Sequence, residues 1–200
     1  MAGDQSSKKR GGPRSAIDWS PSEPYSRISV QKTTPAIGAL VSGVQLNDVD
    51  DATFAEIQRA LLEHCVVFFR DQKMTTEEHI EFGRRFGELD VHPAAANSTG
   101  HSEILVIHAD ENSSRANGEA WHSDVSCLPE PPMGSILHIH EVPPTGGDTL
   151  FSSMYAAYDA LSERMKSYLD GLEAVHSGEQ VYRGLYDGVA DKASYPIAKH

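Results

Sequence analysis

Cysteine is scarce in this chain: Cys65 and Cys127 are the two among 200 residues, and they show no paired spacing. A disulfide framework is therefore excluded as the source of stability. Long apolar runs are missing too. No stretch approaches the ~18 apolar residues of a membrane span, and the N-terminus carries no apolar signal-peptide core. These absences predict a cytoplasmic protein with no membrane partner. Positive charge is in short supply: 17 Lys and Arg stand against 29 Asp and Glu, a net charge of −12 at neutral pH. Such a balance argues against a nucleic-acid partner over the bulk of the surface. No internal repeat is found. What remains is an ordinary soluble composition, 39% hydrophobic and 23% charged, in a chain long enough to bury one core unaided.

Residues 1–24 are rich in Ser, Gly, Pro and basic residues, with a small cluster at Lys8-Lys9-Arg10. They bury too little apolar surface to offset their ordering entropy, so they are read as a disordered basic tail. A targeting role for the cluster is the alternative. Residues 25–200 form the expected single domain. Ile28 and Val30 alternate with polar neighbours, as in a strand, and Gly38 and Gly43 punctuate an apolar stretch as bends or bulges. Asp50 or Asp51 can cap a helix running to about His64, with Phe54, Ile57 and Leu61 on one face. Val66–Phe69 reads as a short apolar strand, preceded by a core Cys65 and followed by an Arg70-Asp71-Gln72 turn. Thr75 and Glu78 have capping-box spacing, predicting a helix that carries Ile80 and Phe86 and stops at Gly87.

Further strands are expected over 104–107, 134–142 and 148–152, separated by a polar loop at 109–120, a Pro-rich bend at 129–132 and the Pro143–Gly147 turn. A helix is expected over 154–172, with Tyr155, Tyr158, Leu161, Met165 and Leu169 on an apolar stripe. Beyond Gly171 the chain turns polar and irregular, with no closing element. Strands dominate the centre, and helices lie early and late. The pattern predicts a mixed α/β fold with a mainly β core, a curved sheet or barrel with helices packed outside.

The stretch that carries chemistry is Trp121-His122-Ser123-Asp124. Side chains two residues apart share one face of an extended segment, so His122 and Asp124 can present an imidazole nitrogen and a carboxylate oxygen together. Those are two of the three ligands of the 2-His-1-carboxylate triad, which leaves open positions on non-haem Fe(II). Cys127, three residues on, either lies near the site or packs in the core; Trp121 either backs the metal loop or is a core tryptophan. His138 and His140 offer a second His-x-His pair, suited to a cupin-like metal site or to a polar strand face. His176 reads as a buried or pocket-lining residue, and His108 as structural.

Trp121-His122-Ser123-Asp124, then Pro131-Pro132-Met133-Gly134, then Pro144-Thr145-Gly146-Gly147-Asp148-Thr149-Leu150 resemble the taurine dioxygenase/TfdA family. The likeness extends to Val66-Val67-Phe68-Phe69-Arg70-Asp71-Gln72 and Arg85-Phe86-Gly87-Glu88-Leu89, and covers roughly residues 28–180. It implies a double-stranded β-helix of jelly-roll or cupin-like type with flanking helices. It also implies an Fe(II)- and 2-oxoglutarate-dependent dioxygenase that hydroxylates a small anionic substrate with release of succinate and CO₂. By resemblance, His122 and Asp124 match metal ligands, and Thr149 matches the threonine that binds 2-oxoglutarate. His92 and Asn117 match substrate contacts. The implied partners are a small-molecule substrate and O₂, and association into a homo-oligomer is compatible with the family.

The chain departs from the family pattern in several places. Ala94-Ala95-Ala96 follows His92 where taurine-type enzymes have a tyrosine, Asn117 is shifted by one, and Val181-Tyr182 replaces a Ser-Phe pair. The expected substrate is therefore bulkier or less sulfonate-like than taurine, within the broad class of taurine, alkylsulfonates and aryloxyalkanoates. No segment matches the family's third ligand, a histidine, or its 2-oxoglutarate arginine. The chain thus resembles the N-terminal two-thirds of such an enzyme. Three readings follow: a dioxygenase, a truncated non-catalytic form acting as a binding or regulatory product, and a cupin-like metalloprotein built on His138 and His140.

Overall fold

The computed structural model describes residues 23–91, 100–113, 118, 120–179 and 197–199. The expected tail lies outside the described residues except for its last two positions. The chain divides into two units, Met1–Lys73 with Pro144–Asp170, and Met74–Pro143 with Gly171–His200.

The first unit is built on a three-stranded sheet. Strands β1 (Ser29–Lys32) and β2 (Ala39–Ser42) pair antiparallel, with Val30 opposite Val41. The turn between them closes through Thr33 N–H to Gly38 O at 2.9 Å. Gly38 sits at φ +92°, and a Cβ there would collide with Thr33 Oγ1, so only glycine fits this turn. Helix α1 (Asp51–His64) then carries the chain to β3 (Val67–Phe69), which pairs parallel with β2. A parallel pair requires such a crossover.

Asp50 caps α1, its Oδ1 accepting the Thr53 N–H at 2.7 Å. Hydrogen bonds from the Thr53 side chain and then from this N–H hold the Asp50 carboxyl below its usual range. Ile57 lands on the buried face, as its spacing predicts, and Ala60, Ala39 and Val41 are buried with it. Phe54 and Leu61 are half-buried. His64 is also buried, and burial pushes its imidazole pKa down. Cys65 departs from expectation: it is half-buried at the helix C-cap with φ +65°, its N–H bonded to Leu61 O. The chain must reverse there to enter β3, which takes Cys65 out of the core.

The predicted helix over 154–172 is two helices, α3 (Met154–Asp159) and α4 (Glu163–Leu169). Ser162 explains the break, because its Oγ accepts the Met165 N–H at 3.2 Å and starts a new helix. Apart from half-buried Leu161, the expected apolar stripe is exposed, with Tyr155 at 64% and Met165 at 45%. Phe151 meets Phe68 of β3 edge-to-face, with centroids 5.8 Å apart.

The second unit is organised on α2 (Thr76–Arg84). Its capping box is complete: Glu78 N–H donates to Thr75 Oγ1 at 3.2 Å, and Thr75 N–H donates to Glu78 Oε2 at 2.7 Å. The helix ends three residues before Gly87, and Phe86 lies beyond it in a turn, its ring against Phe82. Ile80, Phe82 and Cys127 are the unit's buried apolar residues among those described, so Cys127 takes the packing role. Arg84 pairs with Glu103 at 3.0 Å and His101 with Glu77 at 3.4 Å, fastening residues 101–103 to the helix. A two-stranded antiparallel ladder of β4 (Val175–Ser177) and β5 (Ile197–Lys199) appears where no closing element was expected.

Mixed α/β character is seen, but ladder-bonded strand is sparser than expected. Segments 104–107, 134–142 and 148–152 form no ladder among the described residues. Alternation of apolar residues sets which side chains share a face, but a strand also needs a partner to receive its N–H and C=O groups. No helix among the described residues is long and apolar enough to cross a membrane.

Candidate metal centre

The second unit brings His122 and Asp124 together. His122 lies in irregular chain and Asp124 opens a turn over residues 124–127. The pair is therefore not on a strand, though the two-residue spacing still sets both side chains on one side. His122 Nε2 stands 3.1 Å from Asp124 Oδ1, with both side chains 56% exposed. The other ring nitrogen, Nδ1, lies 2.8 Å from the Ala120 carbonyl. A carbonyl can only accept, so Nδ1 carries the proton and the ring orientation is set. Nε2 and the Asp124 oxygen then face each other, at a distance that suits either a His–Asp ion pair or two ligands on one cation.

The spacing fits a metal ion. Two ligand atoms bound at about 2.1 Å and at right angles stand about 3.0 Å apart. A histidine ligand also usually donates its second ring N–H to a carbonyl or carboxylate, as His122 does to Ala120. The carboxylate is held from its far side, because Ser135 Oγ donates to Asp124 Oδ2 at 2.7 Å. The turn itself is anchored by a contact between His176 Nδ1 and Ser126 Oγ at 3.0 Å. Val125 within it sits at φ +49°, a rare conformation for a β-branched residue.

The donor set is incomplete. Among the described residues, no group of three His, Cys, Asp or Glu side chains could hold a metal ion. That bears on His138 and His140, which were candidates for a cupin-like site. Their rings lie 4.4 Å apart by centroid, and His138 meets His79 of α2 edge-to-face at 5.8 Å. Burial, then the neighbouring His138, pushes the His79 pKa down, while a hydrogen bond to the Ile136 backbone opposes the shift. The three imidazoles make a packing cluster that fastens residues 136–140 to α2.

Other expected residues fall elsewhere. Thr149 belongs to the first unit, exposed on the irregular stretch that precedes α3. His92, Asn117, the Ala94–Ala96 run and the Val181-Tyr182 pair lie outside the described residues. Trp121 is 69% exposed rather than a core residue, on the irregular stretch leading into the turn. His108 reaches Asp110 at 3.6 Å at the surface. Ser135, the Ala120 carbonyl and Ser126 were not foreseen from the sequence. For Ser135 the one available signal was its place directly after the Pro131–Gly134 motif.

The family model for "Taurine catabolism dioxygenase TauD, TfdA family" matches residues 29–200. The chain belongs to this family. Among curated TauD/TfdA relatives, the (S)-phenoxypropionate/alpha-ketoglutarate-dioxygenase of Sphingobium herbicidovorans is 38% identical over 170 residues, covering 76% of this chain and 59% of that protein. The alpha-ketoglutarate-dependent sulfate ester dioxygenase of Pseudomonas putida is 37% identical over 160 residues, covering 79% and 52%. Among solved structures, a taurine dioxygenase from Burkholderia xenovorans superposes with a TM-score of 0.66 at 36% identity, covering 76% of this chain and 54% of that one. The chain spans a little over half the length of these relatives. The matched stretch includes the His122–Asp124 pair and Thr149 of this TauD/TfdA chain.

Proposed function

We propose that this chain supplies the first two metal ligands and part of the cosubstrate site of an Fe(II)- and 2-oxoglutarate-dependent dioxygenase on a double-stranded β-helix. The observation that carries the reading is the His122–Asp124 pair, 3.1 Å apart and tied back on both sides to Ala120 and Ser135. Bound there, the metal with 2-oxoglutarate would supply oxidation of the substrate by O₂, with release of succinate and CO₂. The residues of the chain do the holding. His122 offers Nε2 with its tautomer set through Nδ1, Asp124 offers Oδ1 with Oδ2 occupied, and Thr149 offers a hydroxyl donor to a carboxylate.

The substrate we assign is a small organic anion. Phenoxypropionate and sulfate esters, the substrates in the relatives' names, share an anionic head on a larger organic body. His92 and Asn117 are the proposed contacts for it. Hydroxylation of the carbon beside the ether or ester oxygen would fragment such a compound.

The test is an anaerobic titration with Fe(II) and 2-oxoglutarate, followed by the visible metal-to-ligand charge-transfer band. The band is expected with the native chain and absent with Asp124→Ala or His122→Ala. A band that persists in both variants refutes the ligand assignment. A band without succinate production on any organic anion would mark the chain as a non-catalytic binding product.

A further inference from the structure

We infer that Ser135 is a positioning residue, which fixes Asp124 as a one-oxygen metal ligand. The inference rests on the proposed role of Asp124 and goes beyond it. A carboxylate on an exposed turn can rotate, and free rotation lets it offer either oxygen or both to a cation. Here the Ser135 hydroxyl donates to Oδ2 at 2.7 Å, while Oδ1 faces His122 Nε2 at 3.1 Å. With Oδ2 held by that hydrogen bond, the carboxylate is oriented so that Oδ1 points at the site the imidazole also faces.

Ser135 can do this because its own position is fixed. The next residue, Ile136, lies against α2: its Cδ1 is 3.8 Å from where a Cβ on Gly83 would stand. His79 of the same helix hydrogen-bonds the Ile136 backbone, and its ring packs on His138 at 5.8 Å. Segment 135–140 is thus tied to a capped helix at Ile136 and His138, next to the residue that presents the hydroxyl. Partners of this kind around metal ligands change metal affinity by about 10- to 100-fold when removed.

The experiment is Mn(II) titration of the full 200-residue chain, followed by loss of the free-ion electron paramagnetic resonance signal. Native chain, Asp124→Ala, Ser135→Ala, Ser135→Thr and Ser135→Val are compared. Thr and Val have the same shape and differ in the hydroxyl, so packing effects cancel between them. Ser135→Ala and Ser135→Val should bind about tenfold more weakly, at the low end of the range for such partners, and Ser135→Thr should bind like the native chain. The infrared separation of the two Asp124 carboxylate stretches should narrow in the Ala and Val variants, as both oxygens become available to the metal. Equal affinity and equal spectra in the Thr and Val variants would overturn the inference while leaving the Asp124 assignment intact. Absence of Mn(II) binding by the native chain, or native binding by Asp124→Ala, would instead refute the ligand assignment and the inference with it.

Discussion

Replacing Glu56 with Gln should destabilise the first unit and flatten its response to acid. Glu56 projects from α1 towards the residues that enter β1, where one carboxylate gathers four donors. Ser26 N–H and Oγ–H reach Oε1 at 2.9 and 2.8 Å, and Arg27 and Ile28 N–H reach Oε2 at 3.0 and 3.3 Å. Burial pulls the carboxyl upward, but together these hydrogen bonds outweigh it and hold the pKa at about 2, against an ordinary 4.5. Converted in full at about 1.4 kcal/mol per unit, the shift would be worth about 3 kcal/mol. The site is half-exposed, so screening reduces this to about 1–2 kcal/mol. Because the folded pKa is depressed, the contribution is fully present above pH 4.5 and is lost as pH falls towards 2. Glutamine keeps the shape and one acceptor oxygen but removes the charge. Urea denaturation at pH 7 should show a loss of about 1–2 kcal/mol for Glu56→Gln, and the gap from the native chain should close as pH drops towards 2. A variant equal to the native chain at pH 7, or a gap unchanged by acid, would refute the reasoning.

Three further outcomes are expected. Tyr25 donates to Glu63 Oε2 at 2.6 Å under the Arg59 guanidinium, 4.1 Å from its ring. Burial first, then this hydrogen bond, pushes its phenol up to about 12. Stability from this contact is therefore present below pH 10, the phenol's ordinary pKa, and lost towards pH 12; Tyr25→Phe should delete one late-ionising phenol from an ultraviolet alkaline titration and cost about 1 kcal/mol. Gly38→Ala meets both the φ of +92° and the Thr33 Oγ1 collision, and should cost about 1–3 kcal/mol by thermal denaturation. Thr75→Ala removes one side of the α2 capping box and should cost about 1 kcal/mol, measured by urea denaturation of the full chain.

Much of the local structure was legible in the sequence. Asp50 capping α1, the Thr75–Glu78 box, the buried Ile57 face and the Gly38 bend all depend on residues a few positions apart. Sequence spacing therefore sets their geometry directly. The His122–Asp124 pairing was legible for a similar reason, since two residues cannot separate the side chains far. Local reading failed where a nearby competitor or a distant partner intervened. Ser162 split a helix that the apolar stripe alone would have continued, and Cys65 left the core because the chain reverses after α1.

By itself, then, the sequence determined the caps, the turns, the family and the close pairing of His122 with Asp124. Tertiary structure alone decided which apolar segments acquired ladders: β4 and β5 pair across an interval no periodicity could bridge, while 104–107 and 134–142 pair with none among the described residues. It also decided what holds the candidate site. Ser135 lies 11 residues from Asp124, and His176 lies 50 from Ser126. Hydrogen bonds over such separations arise from packing on α2 and from strand pairing, and nothing in the local pattern of either partner encodes them.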